Sequence, residues 1–156
     1  MQAAQSNPVT PETGYSPSVL VCVTDQPSCE RLIHAGASLA RSMSVGLQVL
    51  SVLPQGLVSE SLSAVMQSLY DTATALGAQM TFYFSGEPAL TAAVHAAKSG
   101  VVQIVTGTPD AGSNLFLETI RGLLPELPLS IVDASGRLYT FPPYVHPQVD
   151  CVGTRN

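Results

Sequence analysis

The segment from Met80 to Val132 (MTFYFSGEPALTAAVHAAKSGVVQIVTGTPDAGSNLFLETIRGLLPELPLSIV) constrains the fold more than any other part of the chain. It reads as strand, Gly-Glu-Pro turn, helix, strand, glycine-bearing loop, helix and strand. Apolar runs that each break into a turn and then a helix are what parallel strands require, because a parallel pair cannot be joined by a tight hairpin. The upper ends of such strands gather loops into a crevice suited to a ligand. The loop Gly107–Asn114 has the position of a phosphate cradle, yet it carries only two glycines and an aspartate.

The alternation extends upstream. Ser18–Thr24 (SVLVCVT) is a near-continuous apolar run with β-branched residues, suited to a central strand covered on both faces. Asp25-Gln26-Pro27-Ser28 turns the chain and supplies cap candidates for a helix reaching about Met43. That helix has Leu32, Gly36, Leu39 and Met43 on one stripe and Ile33, Ala37 and Ala40 beside it. Gly46–Leu53 is a second strand, stopped by Pro54. From Ser59 to Leu76, the residues Leu62, Val65, Met66, Leu69, Ala73 and Leu76 recur at helical spacing, and Gly77 ends the helix. Strand Gln79–Phe84, helix Pro88–Lys98, strand Val101–Thr106, helix Asn114–Leu124 and strand Leu129–Asp133 complete the pattern. With right-handed crossovers, five strands alternating with four helices build an α/β fold, a three-layer parallel sheet.

Past Ala134-Ser135-Gly136, the alternating segment RLYTF predicts an extra antiparallel strand. Residues 1–17, with three prolines, read as a flexible N-terminal arm, residues 18–133 as the domain, and residues 134–156 as a hairpin strand and tail. Tyr139, Phe141, Tyr144 and Val145 are too apolar for a free tail and are expected to dock on the body or on a neighbouring subunit.

At 156 residues the chain suits one domain with a proper core. Only 11% of residues are charged, against about 25% in typical soluble chains, which predicts a subunit with part of its exterior covered by a partner. The net charge is −5, and the six basic residues, Arg31, Arg41, Lys98, Arg121, Arg137 and Arg155, are scattered singly. Nothing there neutralises several phosphates at once, which argues against nucleic-acid binding. The first residues lack both a basic start and an apolar core, and the apolar runs are strand-sized, so neither a secretory signal nor a membrane span is expected and cytoplasm is the predicted compartment. Cys22, Cys29 and Cys151 form an odd set without metal-type pairing, as in reduced proteins. Cys22 reads as a core residue. Cys29 lies near a helix start, where the dipole favours a thiolate, but no second cysteine stands at CxxC spacing to support a redox role.

In VLVCVTDQPSCERLIHAGASLARSM the chain resembles the start of a universal stress protein domain. More narrowly it is similar to the stress-protein-like domain within the sensor kinase of the Kdp potassium system, where a VCV strand and a polar turn precede a matching helix. Ser28, Glu30, Arg31, Leu32, Ile33, Leu39 and Ala40 fit that pattern, and the segment QIVTGTPDAGSNLFLETIRGLLPELPLSIVD resembles its later half. The resemblance spans residues 18–133. It implies a Rossmann-like sheet of order 3-2-1-4-5, commonly a symmetric homodimer, and in many members a site for ATP or another adenine nucleotide. No histidine-kinase core is present in the sequence, so signalling output is expected through a protein partner.

The resemblance also supplies a test of that site. In nucleotide-binding members an aspartate ending the first strand contacts adenine, and a Gly-x-x-Gly-x9-Gly-Ser/Thr motif wraps the phosphates. Here Thr24 takes the first position, with Asp25 one place later. Gly107 matches the opening glycine, Asp110 replaces the second, Ile120-Arg121 stand where Gly-Ser/Thr belongs, and Gly112 and Gly122 are displaced. A carboxylate against phosphate is repulsive by about 1 kcal/mol even in water, and glycine loss removes the close backbone approach a phosphate nest needs. Ser113 and Asn114 precede a helix whose free amides favour an anion, although either residue would equally serve as a helix cap.

Asp25 and Asp110 are placed to meet across neighbouring loops, where two turn-capping aspartates are a commoner outcome than a cation site. His34, His95 and His146 have no nucleophile at suitable spacing, and no P-loop, GxSxG or HExxH pattern occurs. The expected function is a non-enzymatic regulatory or binding module with a degenerate nucleotide crevice. Its alternative is an adenine-nucleotide-binding stress protein with weak ATP hydrolysis.

Overall fold

Every residue of the first strand, β1 (Ser18–Val23), is buried. Alternation sends Val19, Val21 and Val23 into one cluster of core side chains and Leu20 and Cys22 into the other. A strand with no polar face has to lie mid-sheet between two helical layers, and that is the position it takes. The structure is a computed structural model and describes residues 16–24, 26–56, 59–108 and 115–143.

The chain continues through a 3-10 turn at Pro27–Cys29 into α1 (Glu30–Met43), β2 (Gly46–Leu53), α2 (Glu60–Ala75) and β3 (Gln79–Phe84). It then forms α3 (Pro88–Lys98), β4 (Val101–Gly107), α4 (Leu115–Leu123), β5 (Leu129–Val132) and β6 (Leu138–Phe141). The sheet order is β3-β2-β1-β4-β5-β6. The first five strands pair in parallel, and β6 lies antiparallel on β5 with Ser130 opposite Thr140. This is the 3-2-1-4-5 Rossmann-like sheet with the added return strand.

Helices α1 and α2 pack on the face carrying Val19, Val21, Val49 and Val105, whereas α3 and α4 cover Leu20, Leu50, Ile104 and Leu129. Helix α1 buries Leu32, Ile33, Gly36, Ala37 and Ala40. Met43, expected on that stripe, is instead 38% exposed at the last residue of the helix, which ends on the left-handed Ser44. The cap candidates of the first turn also behave differently from expectation. Cys29 occupies the N-cap without any side-chain cap bond, and the 3-10 turn shifts the helix start past Ser28. Ser59 does cap α2, accepting from the amide of Leu62 at 3.1 Å, and Gly77 closes that helix with φ +81°.

A polar ladder fastens the return strand. The Gln103 amide donates to Ser130 Oγ at 2.6 Å, and Ser130 Oγ lies 2.8 Å from Thr140 Oγ1. β4, β5 and β6 are thereby linked through buried Gln103 and Ser130. Tyr139 and Phe141 dock with their strand yet remain 46% and 41% exposed, while Tyr144 and Val145 lie outside the described residues. Among the described residues, no helix is long and apolar enough to cross a membrane.

Candidate functional site

The strand order reverses between β1 and β4. Helix α1 leaves β1 over one face of the sheet, and α3 reaches β4 over the other, so the two chain paths part at the carboxyl ends of these strands. Such a switch point opens a crevice by topology alone. Here it measures about 480 Å³, within the range of about 300–1,000 Å³ usual for small-molecule sites.

Its inner wall is apolar, with Leu50 and Val52 from β2, Ala92 from α3 and Phe116 and Leu117 from α4. Thr24, Ser28, Thr106 and Thr108 bring hydroxyls to the lining, and Arg31 brings the charge. Arg31 sits in the first turn of α1, its Nε fully buried and without a hydrogen-bond partner among the described residues. A hidden donor without an acceptor is unfavourable, so an acceptor reaching Nε from the crevice would be favourably received.

The turn from β1 into α1 is tied by sulfur. The Thr24 amide donates to Cys29 Sγ at 3.4 Å, and the Cys29 amide donates to the Gln26 carbonyl at 3.0 Å. Cys29 is thus buried as a turn fastener at the crevice wall. Cys22, on the same wall, packs in the core, and burial pushes its thiol up to about 12, which keeps it protonated and inert.

Of the positions singled out in the sequence, Thr24 and Gly107 both line the crevice. Asp25, Asp110, Gly112, Ser113 and Asn114 lie outside the described residues, as do His146 and Cys151. Gly107 ends β4 without a positive φ, and a Cβ built there would sit 3.4 Å from Leu32 Cδ1, an ordinary contact. Folding alone therefore does not require glycine at 107. Ile120 is 2% exposed in the core, and Arg121 turns outward, donating from Nη2 to the Pro142 carbonyl at 3.3 Å and lying 5.4 Å over the Phe141 ring. Neither residue lines the crevice.

His34 is exposed on α1. His95 is held in a network: Nε2 lies 3.0 Å from Gln48 Oε1 and Nδ1 lies 3.2 Å from the Tyr83 hydroxyl. The Gln48 amide nitrogen donates to Ser18 Oγ and to the Ser99 carbonyl, which leaves Oε1 to accept from His95 Nε2–H and Nδ1 to accept from Tyr83. No group of three or more metal-ligating side chains occurs among the described residues. A second groove of about 520 Å³ runs between α3 and the edge strand β3, beside Tyr83, Leu90 and Val94. It lies away from the switch point, and its polar groups are largely engaged with one another: the Tyr83 hydroxyl with His95, Thr91 Oγ1 with Ser85, and Ser99 Oγ with the His95 carbonyl.

Sequence reasoning does not single out Arg31 or Phe116 as crevice residues. The usable signal for Arg31 is its place in the first turn of the helix after β1, the turn that topology holds at the rim.

No family model and no curated protein matches the chain. Solved structures do. The chain is similar to a universal stress protein from Archaeoglobus fulgidus, at TM-score 0.59 and 17% identity, covering 76% of this chain and 93% of that one. It is similar to a universal stress protein in complex with cAMP, at TM-score 0.60 and 13% identity, covering 76% and 98%. It is also similar to the Archaeoglobus fulgidus protein in complex with dAMP, at TM-score 0.52 and 19% identity, covering 66% and 87%. The chain has the universal stress protein fold.

Proposed function

We propose that this protein is a non-enzymatic, universal-stress-protein-like regulatory module whose switch-point crevice binds a nucleotide without the glycine cradle. The observation that carries the reading is the crevice itself, about 480 Å³ with an apolar wall, hydroxyls and one arginine donor without a partner among the described residues, at the carboxyl ends of β1 and β4. Two proteins of the same fold are in complex with cAMP and dAMP, which makes a nucleotide the ligand class to test first. Gly107 adds support, since its missing side chain is not needed for packing and leaves the backbone open to close approach.

The cradle is degenerate in this proposal because Ile120 is committed to the core and Arg121 to Phe141. A symmetric homodimer, a protein signalling partner, the cytoplasm and the nearer kinship to the Kdp sensor-kinase domain belong to the same proposal. For the dimer, β6 covers the free edge of β5, so subunit pairing at that end of the sheet would run through β6.

The test is chromatography of the supernatant after denaturing purified protein, together with an ATP turnover assay. The proposal expects released nucleotide, or nucleotide uptake on titration, and no turnover. Turnover would favour the hydrolytic alternative, and absence of any nucleotide binding would refute the module as stated.

A further inference from the structure

Arg31 occupies an unusual electrostatic position. Lys98, Arg41, Arg121 and Arg137 do not line the crevice, so among the described residues Arg31 is its one cationic side chain. Its Nε is withdrawn from solvent with no acceptor among the described residues, while Glu30 next to it accepts from the Ser68 hydroxyl at 2.6 Å. The side chain as a whole is half-buried, so one guanidinium donor, Nε, is hidden from water and left unmatched among the described residues. A planar fork of donors beside hydroxyls is suited to a compact tetrahedral anion.

We propose that Arg31 is the anion anchor of the crevice, and that it selects a nucleoside monophosphate over both the bare nucleoside and the triphosphate. This rests on the nucleotide reading above and adds the residue and the ligand class. One guanidinium fork matches one phosphate group. A triphosphate needs either a second cation or a glycine cradle. At the positions corresponding to the end of that cradle, Ile120 is buried and Arg121 is bound to the Pro142 carbonyl outside the crevice. The apolar wall, with Phe116 on it, suits the planar base, and the arginine suits the phosphate.

The experiment is calorimetric titration of the full chain with AMP, adenosine and ATP, on wild type, Arg31→Met and Arg31→Lys, each checked for an unchanged thermal unfolding profile. Wild type is expected to bind AMP at least tenfold more tightly than adenosine, with ATP no tighter than AMP. Arg31→Met keeps an unbranched apolar stem without the guanidinium, and it is expected to bring AMP down to the affinity of adenosine while leaving adenosine unchanged. Arg31→Lys is expected to restore part of the preference as a point charge. The preference of wild type should also weaken as salt is raised, and that of Arg31→Met should not respond. Equal binding of AMP and adenosine by wild type, a preference that survives in Arg31→Met, or ATP binding tenfold tighter than AMP would each overturn the anchor and leave the nucleotide reading standing. No binding of any of the three would overturn both.

Discussion

Gly36 marks the closest approach of α1 to the sheet. A Cβ built there would fall inside Val21 Cγ2, and Val21 is itself fully buried at the centre of β1. Glycine in a helix costs about 1 kcal/mol relative to alanine, so its presence at mid-helix reflects that contact. Gly36→Ala is expected to destabilise the protein by about 1–3 kcal/mol through overpacking, despite the better helix propensity. Chemical denaturation measures it, and an unchanged or raised midpoint would contradict the packing. His95 gives a second test at this scale. Burial lowers its pKa below the ordinary 6.5. With the folded value depressed, its contribution to stability is present above the unfolded pKa and is lost as pH falls from about 6.5 through the folded value. Proton NMR is expected to report a His95 pKa below 6.5, and a value at or above it would contradict the neutral, Gln48-bound ring.

At the scale of elements, the strands and helices were legible because two periods dominate the chain. The near-continuous apolar run of β1 and the helical spacing of Leu62, Leu69 and Ala73 leave little choice, and each is buried as that spacing requires. Boundaries were less legible where local geometry intervened, as at the 3-10 turn that moves the start of α1 to Glu30. The return strand β6 was visible as alternation in RLYTF, but its attachment was not, since Gln103, Ser130 and Thr140 are far apart in sequence and meet only through register. Ser130→Ala leaves the Gln103 amide buried without its acceptor and is expected to cost about 1–3 kcal/mol. It should also speed hydrogen exchange of the β6 amides more than those of β1. Uniform exchange across both strands would contradict a ladder that fastens β6 in particular.

For the whole molecule, parallel βα units leave one rim at which the chain paths diverge, and the crevice follows from that topology. Its location was therefore readable from strand order, and Thr24 and Gly107 fall on its lining. Its chemistry was less readable. The sequence points to the glycine loop, whereas the charge in the described lining comes from Arg31 on the opposite flank, which the resemblance marks as part of a helix pattern and not as a ligand contact. The central claim is that this rim is where the protein meets its ligand. The most direct test is an amide NMR titration of the full chain with AMP. The account predicts shifts concentrated at Thr24, Arg31, Gly107 and Phe116, with Leu90 and Val94 in the α3 groove unmoved. Shifts centred on that groove, or no shifts at all, would contradict it.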